Sequence, residues 1–232
     1  MTKLLFPIPD PVTVPLRGED AAFPVTRIFC VGRNYADHAK EMGDEVDRET
    51  PFYFTKAPAH LILSGATIPY APGTQDFHHE MEFVIAIGAA GFRVAEADAM
   101  ALVLGYASGL DMTRRDLQTA AKDKSRPWDI SKDFENAAVI GPITRAGAFG
   151  TPGPQAISLL LNGKPAQQSR LSEMVWSVPE LIAHLSTLYH LQPGDLIFTG
   201  TPAGVGPVAS GDRLHGEVDG LAPVELTIGD AE

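Results

Sequence analysis

Residues 78–88 read HHEMEFVIAIG, and this stretch decides how the rest of the chain is taken. Its apolar part, FVIAI at 83–87, is rich in β-branched residues and lies between an acidic start and a glycine. Such side chains pack well on a pleated surface, so the stretch predicts a strand over Glu82–Gly88. Other short runs have the same character: RIFCVG at 27–32, PFYFT at 51–55, ISLLLN at 157–162 and LIFTG at 196–200. One or two closing strands fit within 213–228. Asn162-Gly163 supplies the residues that a tight hairpin turn needs. Helical patterns are few. They cover 34–42, stopping at Gly43, then 97–104, and 178–188, where Pro179 sits in the first turn and Glu180 complements the dipole. Residues 106–112 fit helix or strand. With 22 glycines and 19 prolines cutting the chain, and no regular βαβ alternation, the sequence predicts an α+β, mainly β domain.

The 232 residues carry a formal net charge of −11, with 44% apolar and 20% charged residues. That composition buries a core and argues against disorder and against a generally basic nucleic-acid surface. The lone Cys30 excludes a disulfide framework and fits a reducing, cytoplasmic compartment. No run of about 18 apolar residues occurs, so no membrane helix is expected. Pro7, Pro9 and Pro11 break up the N-terminus, and no signal peptide is expected there. Residues 1–24 are expected to form an extended arm, and residues 25–232 one domain.

Glu80 and Glu82 are two apart, which on a strand points both carboxylates one way. Like charges so placed need water, a shared proton or a cation to offset them. Oxygen ligands favour hard cations such as Mg²⁺, Mn²⁺ or Ca²⁺. Asp111 ends the run 105–110 and offers a third carboxylate. A solvated strand edge is the plain alternative, and His78, on the same predicted face, leaves a His/Glu transition-metal site open. His38 and Glu41 are three apart and neighbours on a helix, a spacing that suits proton transfer as well as an ordinary surface pair. Residues 113–132 hold six basic and three acidic side chains, a local reversal of charge that suits an anionic ligand or a solvated helix face. Pro127-Trp128 suggests a lid. The glycine-rich segment 200–206 (GTPAGVG) has neither a P-loop nor a GxGxxG pattern; Thr201 and backbone N–H groups there suit a small anion.

The segments CVGRNYADHAKEM, HHEMEFVIAIG, GLDMTRRDLQ, PWDISKDFENAAVIGP and GDLIFTGTPAGVG occur in the order typical of the fumarylacetoacetate hydrolase family, which the chain resembles over about residues 25–230. The compact form is similar to that of the short acylpyruvate-cleaving members. The resemblance implies a mixed β-sheet roll with few short helices, assembled as a homodimer. It implies Mg²⁺ or Mn²⁺ on Glu80, Glu82 and Asp111, with His38, Glu41 and Lys132 catalytic. It also implies that Arg33, Arg115, Gln118 and Thr201 bind a small anionic keto-acid. The expected reaction is hydrolytic C–C cleavage of an acylpyruvate, fumarylpyruvate to fumarate and pyruvate. Oxaloacetate decarboxylation, dienoate hydration or isomerisation, and non-enzymatic anion binding are the alternatives. Arg114 departs from the small residue of many relatives and is expected to bear on acid specificity.

Overall fold

A computed structural model describes residues 4–41 and 48–232. The decisive stretch forms a strand over Met81–Ile87, buried along its whole length. It lies inside an eight-stranded mixed sheet. In spatial order the strands are Phe52–Lys56, Arg27–Gly32, Asp195–Phe198, Met81–Ile87, Val103–Asp111, Ala138–Ile140 and Leu61–Leu63, with Thr144–Arg145 also pairing to Val103–Asp111. The pairings of 195–198 with 27–32, and of 138–140 with 61–63, are parallel. A second sheet runs Lys164–Arg170, Ala156–Leu161, Arg213–Val218, Val224–Ile228 and Ala66–Ile68.

Alternation along the central strand feeds two cores. Phe83, Ile85 and Ile87 join Ile157, Leu159 and Leu226 of the second sheet. Val84 and Ala86 point the other way, onto Ile28, Cys30, Leu196 and Phe198. A period-two strand has two faces, and here both are covered. At Gly109 the neighbouring strand comes so close that a Cβ would lie 2.6 Å from Val84 Cγ2 and 2.8 Å from Phe198 Cε1. This glycine is what lets the strands stack.

Sheet pairing overturns one expectation, settles another and adds detail to a third. The helix expected over 97–104 is only a turn, Glu96–Ala99, followed by a 3₁₀ turn at Met100–Leu102. From Val103 the chain pairs with Met81–Ile87, and Leu102 O accepts the Gly88 N–H at 2.8 Å, so sheet pairing overrides helix propensity. The ambiguous 106–112 is resolved by the same capture, as part of the strand Val103–Asp111. Within the expected arm, Thr13–Pro15 and Ala22–Pro24 form an antiparallel ribbon. It seats Val14, Leu16 and Phe23 in the smaller core, while Leu4–Asp10 is exposed and irregular.

Among the described residues there are six short α-helices: α1 (Ala36–Glu41), α2 (Glu96–Ala99), α3 (Arg115–Asp123), α4 (Asp129–Lys132), α5 (Ala146–Phe149) and α6 (Val178–Leu188). The expected stop of α1 at Gly43 lies outside the described residues. α6 matches its expected limits and opens on a capping box in which Ser177 N–H and Oγ–H both donate to Glu180 Oε2, at 2.8 and 2.7 Å. Asn162 and Gly163 both have positive φ, +53° and +76°, as a primed hairpin turn requires. None of the described helices is long and apolar enough to cross a membrane.

Candidate active site

Strand register assembles the acidic cluster. Glu82 lies opposite Gly109, and the Asp111 N–H donates to Glu80 O at 2.9 Å. Since residues two apart share a face, Glu80, Glu82 and Asp111 converge. Each offers a carboxylate oxygen within 4.8 Å of the others, and all three are buried. The solvated-edge alternative is thereby excluded. His78 is not in the cluster: its Nδ1 accepts from Arg115 Nε at 3.3 Å and its Nε2 pairs with Asp76 Oδ1 at 2.8 Å.

Cations surround these acids. Lys132 Nζ lies 2.8 Å from both Glu80 Oε2 and Asp111 Oδ2, and 2.7 Å from Thr113 Oγ1. Arg115, at the first position of α3, donates to Glu80 and to Gln118 Oε1. Lys56 Nζ pairs with Asp111 Oδ1 at 2.8 Å, both side chains fully buried. Lys56 carries no signal in the sequence, because a lysine closing the strand PFYFTK reads as a solvated end.

The resulting field is uneven. Burial pushes the Glu80 carboxyl up, but Lys132, Arg115 and His38 prevail and hold it well below the usual range. Burial raises Glu82, and Asp111 and Glu80 raise it further; the Gly200 N–H, 2.8 Å from Glu82 Oε2, only partly offsets them. Burial would lower Lys132, yet Asp111 and Glu80 outweigh it and keep the ammonium above its ordinary value. Glu82 is thus the acid with the least compensation. Three converging carboxylates with an all-oxygen donor set fit a hard divalent cation.

Over this floor lies a cavity of about 30 Å³, lined by His38, Arg33, Gln118, Lys132 and Thr201 besides the three acids. That is room for an ion or about one or two waters. Glu41 faces His38, with Nδ1 3.2 Å from Oε2. Glu41 also accepts the Gly204 N–H at 3.0 and 3.1 Å, so the glycine-rich loop anchors the pair. Gly204 holds φ +95°, and a Cβ there would lie 2.1 Å from Ala166 O, so the loop needs glycine at this point. Thr201 Oγ1 accepts from the buried Gln167, which the sequence did not single out, at 2.8 Å. Asn34 Nδ2 donates to Thr199 O at 2.7 Å and ties the root of α1 to the same loop. Arg33 has φ +58°, a backbone conformation uncommon outside glycine and found at functional sites. Trp128 packs edge-on against Phe52, ring centroids 4.9 Å apart. Arg114 turns away: its guanidinium stacks over Phe134 at 4.1 Å and donates to Ile130 O at 3.2 Å, outside the cavity. Its side chain therefore does not line the cavity.

Residues 27–229 match the family described as fumarylacetoacetate (FAA) hydrolase C-terminal. The chain belongs to this family. Among its fumarylacetoacetate hydrolase relatives is the fumarylpyruvate hydrolase of a Ralstonia species, 54% identical over 194 residues, covering 82% of this chain and 100% of that protein. The crystal structure of fumarylpyruvate hydrolase from Pseudomonas aeruginosa, in complex with Mn²⁺ and pyruvate, superposes with a TM-score of 0.94 at 44% identity. It covers 98% of this chain and 100% of that one. The family also includes the mitochondrial oxaloacetate tautomerase of Arabidopsis thaliana, 37% identical over 203 residues, covering 88% of this chain and 91% of that protein.

Proposed function

We propose that this chain is a divalent-metal-dependent hydrolase of acylpyruvates, splitting fumarylpyruvate into fumarate and pyruvate. The observation that carries the reading is the His38–Glu41 pair, 3.2 Å apart beside a cavity floored by three buried carboxylates. The Ralstonia and Pseudomonas fumarylpyruvate hydrolases, the latter seen with Mn²⁺ and pyruvate, support the substrate and the metal. Glu80, Glu82 and Asp111 would hold Mn²⁺ or Mg²⁺. When bound, the ion supplies Lewis-acid polarisation and a template for the pyruvoyl end of the substrate.

The chain's own groups do the rest. Glu41 Oε2, oriented by His38 Nδ1, takes a proton from water, and the hydroxide adds to the distal carbonyl carbon. Lys132 and Gln118 steady the oxygen on which negative charge develops. As the tetrahedral centre collapses, the C–C bond breaks and its electron pair leaves with the pyruvate enolate. The proton held by the His38–Glu41 pair returns to that carbon, giving pyruvate, while the acyl part leaves as its acid. Arg33, Arg115 and Thr201 bind the anionic keto-acid end. The chain works as a homodimer in the cytoplasm, an expectation carried by the family and by the lone thiol, with neither nucleic acid nor membrane as a partner.

The test follows loss of enol absorbance with fumarylpyruvate in chelator-treated and Mn²⁺-reloaded protein, with product identification. Metal-dependent release of equal fumarate and pyruvate is expected. Glu41→Ala should cut kcat by about 10²–10⁴-fold. Evolution of CO₂ from oxaloacetate, or enol–keto exchange without cleavage, would assign the site to the alternative chemistries.

A further inference from the structure

Beside the small cavity over the carboxylates opens a second one of about 660 Å³. The two share Arg33, Phe54, Trp128 and Lys132 along their linings. The inner space, about 30 Å³, is too small for a pyruvoyl group carrying an acyl chain, so the chain must extend into the outer one. Two features of the outer cavity have no part in the mechanism above. One is the aromatic cluster of Phe52, Phe54 and Trp128, with ring centroids 4.9 Å (Phe52–Trp128) and 6.1 Å (Phe54–Trp128) apart. The other is Arg126, which lines the outer cavity and not the inner one.

We propose that Arg126 and this aromatic cluster form a subsite for an acyl arm that is planar and ends in a second carboxylate. The inference rests on the acylpyruvate reading and names the residues that receive the acyl arm, which that reading leaves unassigned. A conjugated arm presents a flat face, which aromatic rings cover at little cost in conformational freedom. A terminal carboxylate then needs a donor away from the metal end, and the guanidinium offers a forked, charge-assisted pair of hydrogen bonds. No acid among the described residues pairs with Arg126, although Asp129 stands on the same lining.

The backbone holds the arginine in place. Just beyond helix α3, Ser125 has φ +51°, and two hydrogen bonds close the helix end. Arg126 N–H donates to Ala121 O at 2.8 Å, and Ser125 N–H to Lys122 O at 3.0 Å. This crossed pair is the Schellman termination, and Pro127 then fixes the direction of the chain. One helix therefore serves both ends of the substrate: Arg115 and Gln118 in its first turn face the carboxylate floor, and Arg126 leaves its last turn into the outer cavity.

The experiment compares wild type with Arg126→Gln on fumarylpyruvate and on acetylpyruvate, whose acyl arm ends in a methyl group. The ratio of kcat/KM values, fumarylpyruvate over acetylpyruvate, should fall about tenfold, mainly through KM, as expected for loss of a charge-assisted contact. Arg126→Lys should recover part of the ratio. Product inhibition supplies a second readout: fumarate should inhibit the variant more weakly, and crotonate, the same skeleton with a methyl at one end, should inhibit both proteins alike. An unchanged ratio in a protein that cleaves both substrates overturns the subsite and leaves the hydrolase reading standing. Failure of wild type to cleave either acylpyruvate overturns both.

Discussion

Replacing Lys56 by methionine tests the charge balance at the carboxylate floor. Methionine keeps the length of the stem and removes the ammonium, which lies 2.8 Å from Asp111 Oδ1 with both side chains fully buried. At that separation and an effective dielectric near 20, the gross attraction is about 6 kcal/mol. Breaking one side of a buried pair costs about 3–5 kcal/mol, because the remaining charge is stranded. Loss of the donor to Met112 O and Lys132 O falls within the same range. For a chain of this size that corresponds to a drop in Tm of about 6–20 °C for the metal-free protein. A divalent ion on Asp111 relieves the stranded carboxylate, and removal of Lys56 takes a like charge from beside that ion. Mn²⁺ should therefore raise Tm more in Lys56→Met than in wild type, and its Kd should be tighter in the variant, by linkage. The assay is thermal unfolding of chelated protein across a Mn²⁺ titration. The reasoning fails if the variant lies within about 1 kcal/mol of wild type without metal, or if the metal-induced rise is the same in both proteins.

Gly204→Ala should push the loop off Ala166 and withdraw the N–H that Glu41 accepts; kcat should fall by more than about tenfold with Mn²⁺ affinity unchanged, and a retained kcat would show that the loop does not position Glu41. Glu180→Ala should destabilise by about 1 kcal/mol at neutral pH, the usual worth of a helix cap. Hydrogen bonds from Ser177, backbone first, hold the Glu180 carboxyl below its ordinary value, so its contribution is full above the usual glutamate range and is lost as pH falls through the folded value. Denaturant unfolding of both proteins at about pH 7 and about pH 3 should show the gap closing in acid, and a gap of unchanged size there would remove the capping argument.

What could be read from the sequence follows the range of the interactions. Glu80 and Glu82 were legible because a period of two acts over three residues, and α6 because its first-turn proline, its first-turn glutamate and its apolar spacing all lie within its 11 residues. Asp111 was visible as a third carboxylate, but its place in the cluster came from family resemblance, since joining it requires the pairing of Glu82 with Gly109. Lys56 was invisible: its partner lies 55 positions on, and nothing local distinguishes a buried lysine from a solvated one. Phe52 and Trp128 meet in the same long-range way. Within the expected extended arm over residues 1–24, the pairing was not legible: Pro15 and Pro24 close the ends of two short strands that meet only across the intervening turn. Arg114 and Arg115 are adjacent, and only the turn into α3 decides that the second faces the carboxylates and the first faces Phe134.

The ammonium groups wedged among the carboxylates bear on how the protein matures. A buried acid cluster that relied on its ion for cohesion would make folding hostage to metal supply, as in small zinc domains that collapse only when loaded. Here Lys132 bridges Glu80 and Asp111, and Lys56 braces Asp111 from the other side. The polypeptide carries its own internal counterions and can reach its final shape on leaving the ribosome. Loading is then expected to follow folding and to be reversible, which refolding of chelated protein with Mn²⁺ added afterwards would check. Stripping the ion should give a dormant but intact protein that revives on resupply, without passing through an unfolded stage exposed to proteolysis.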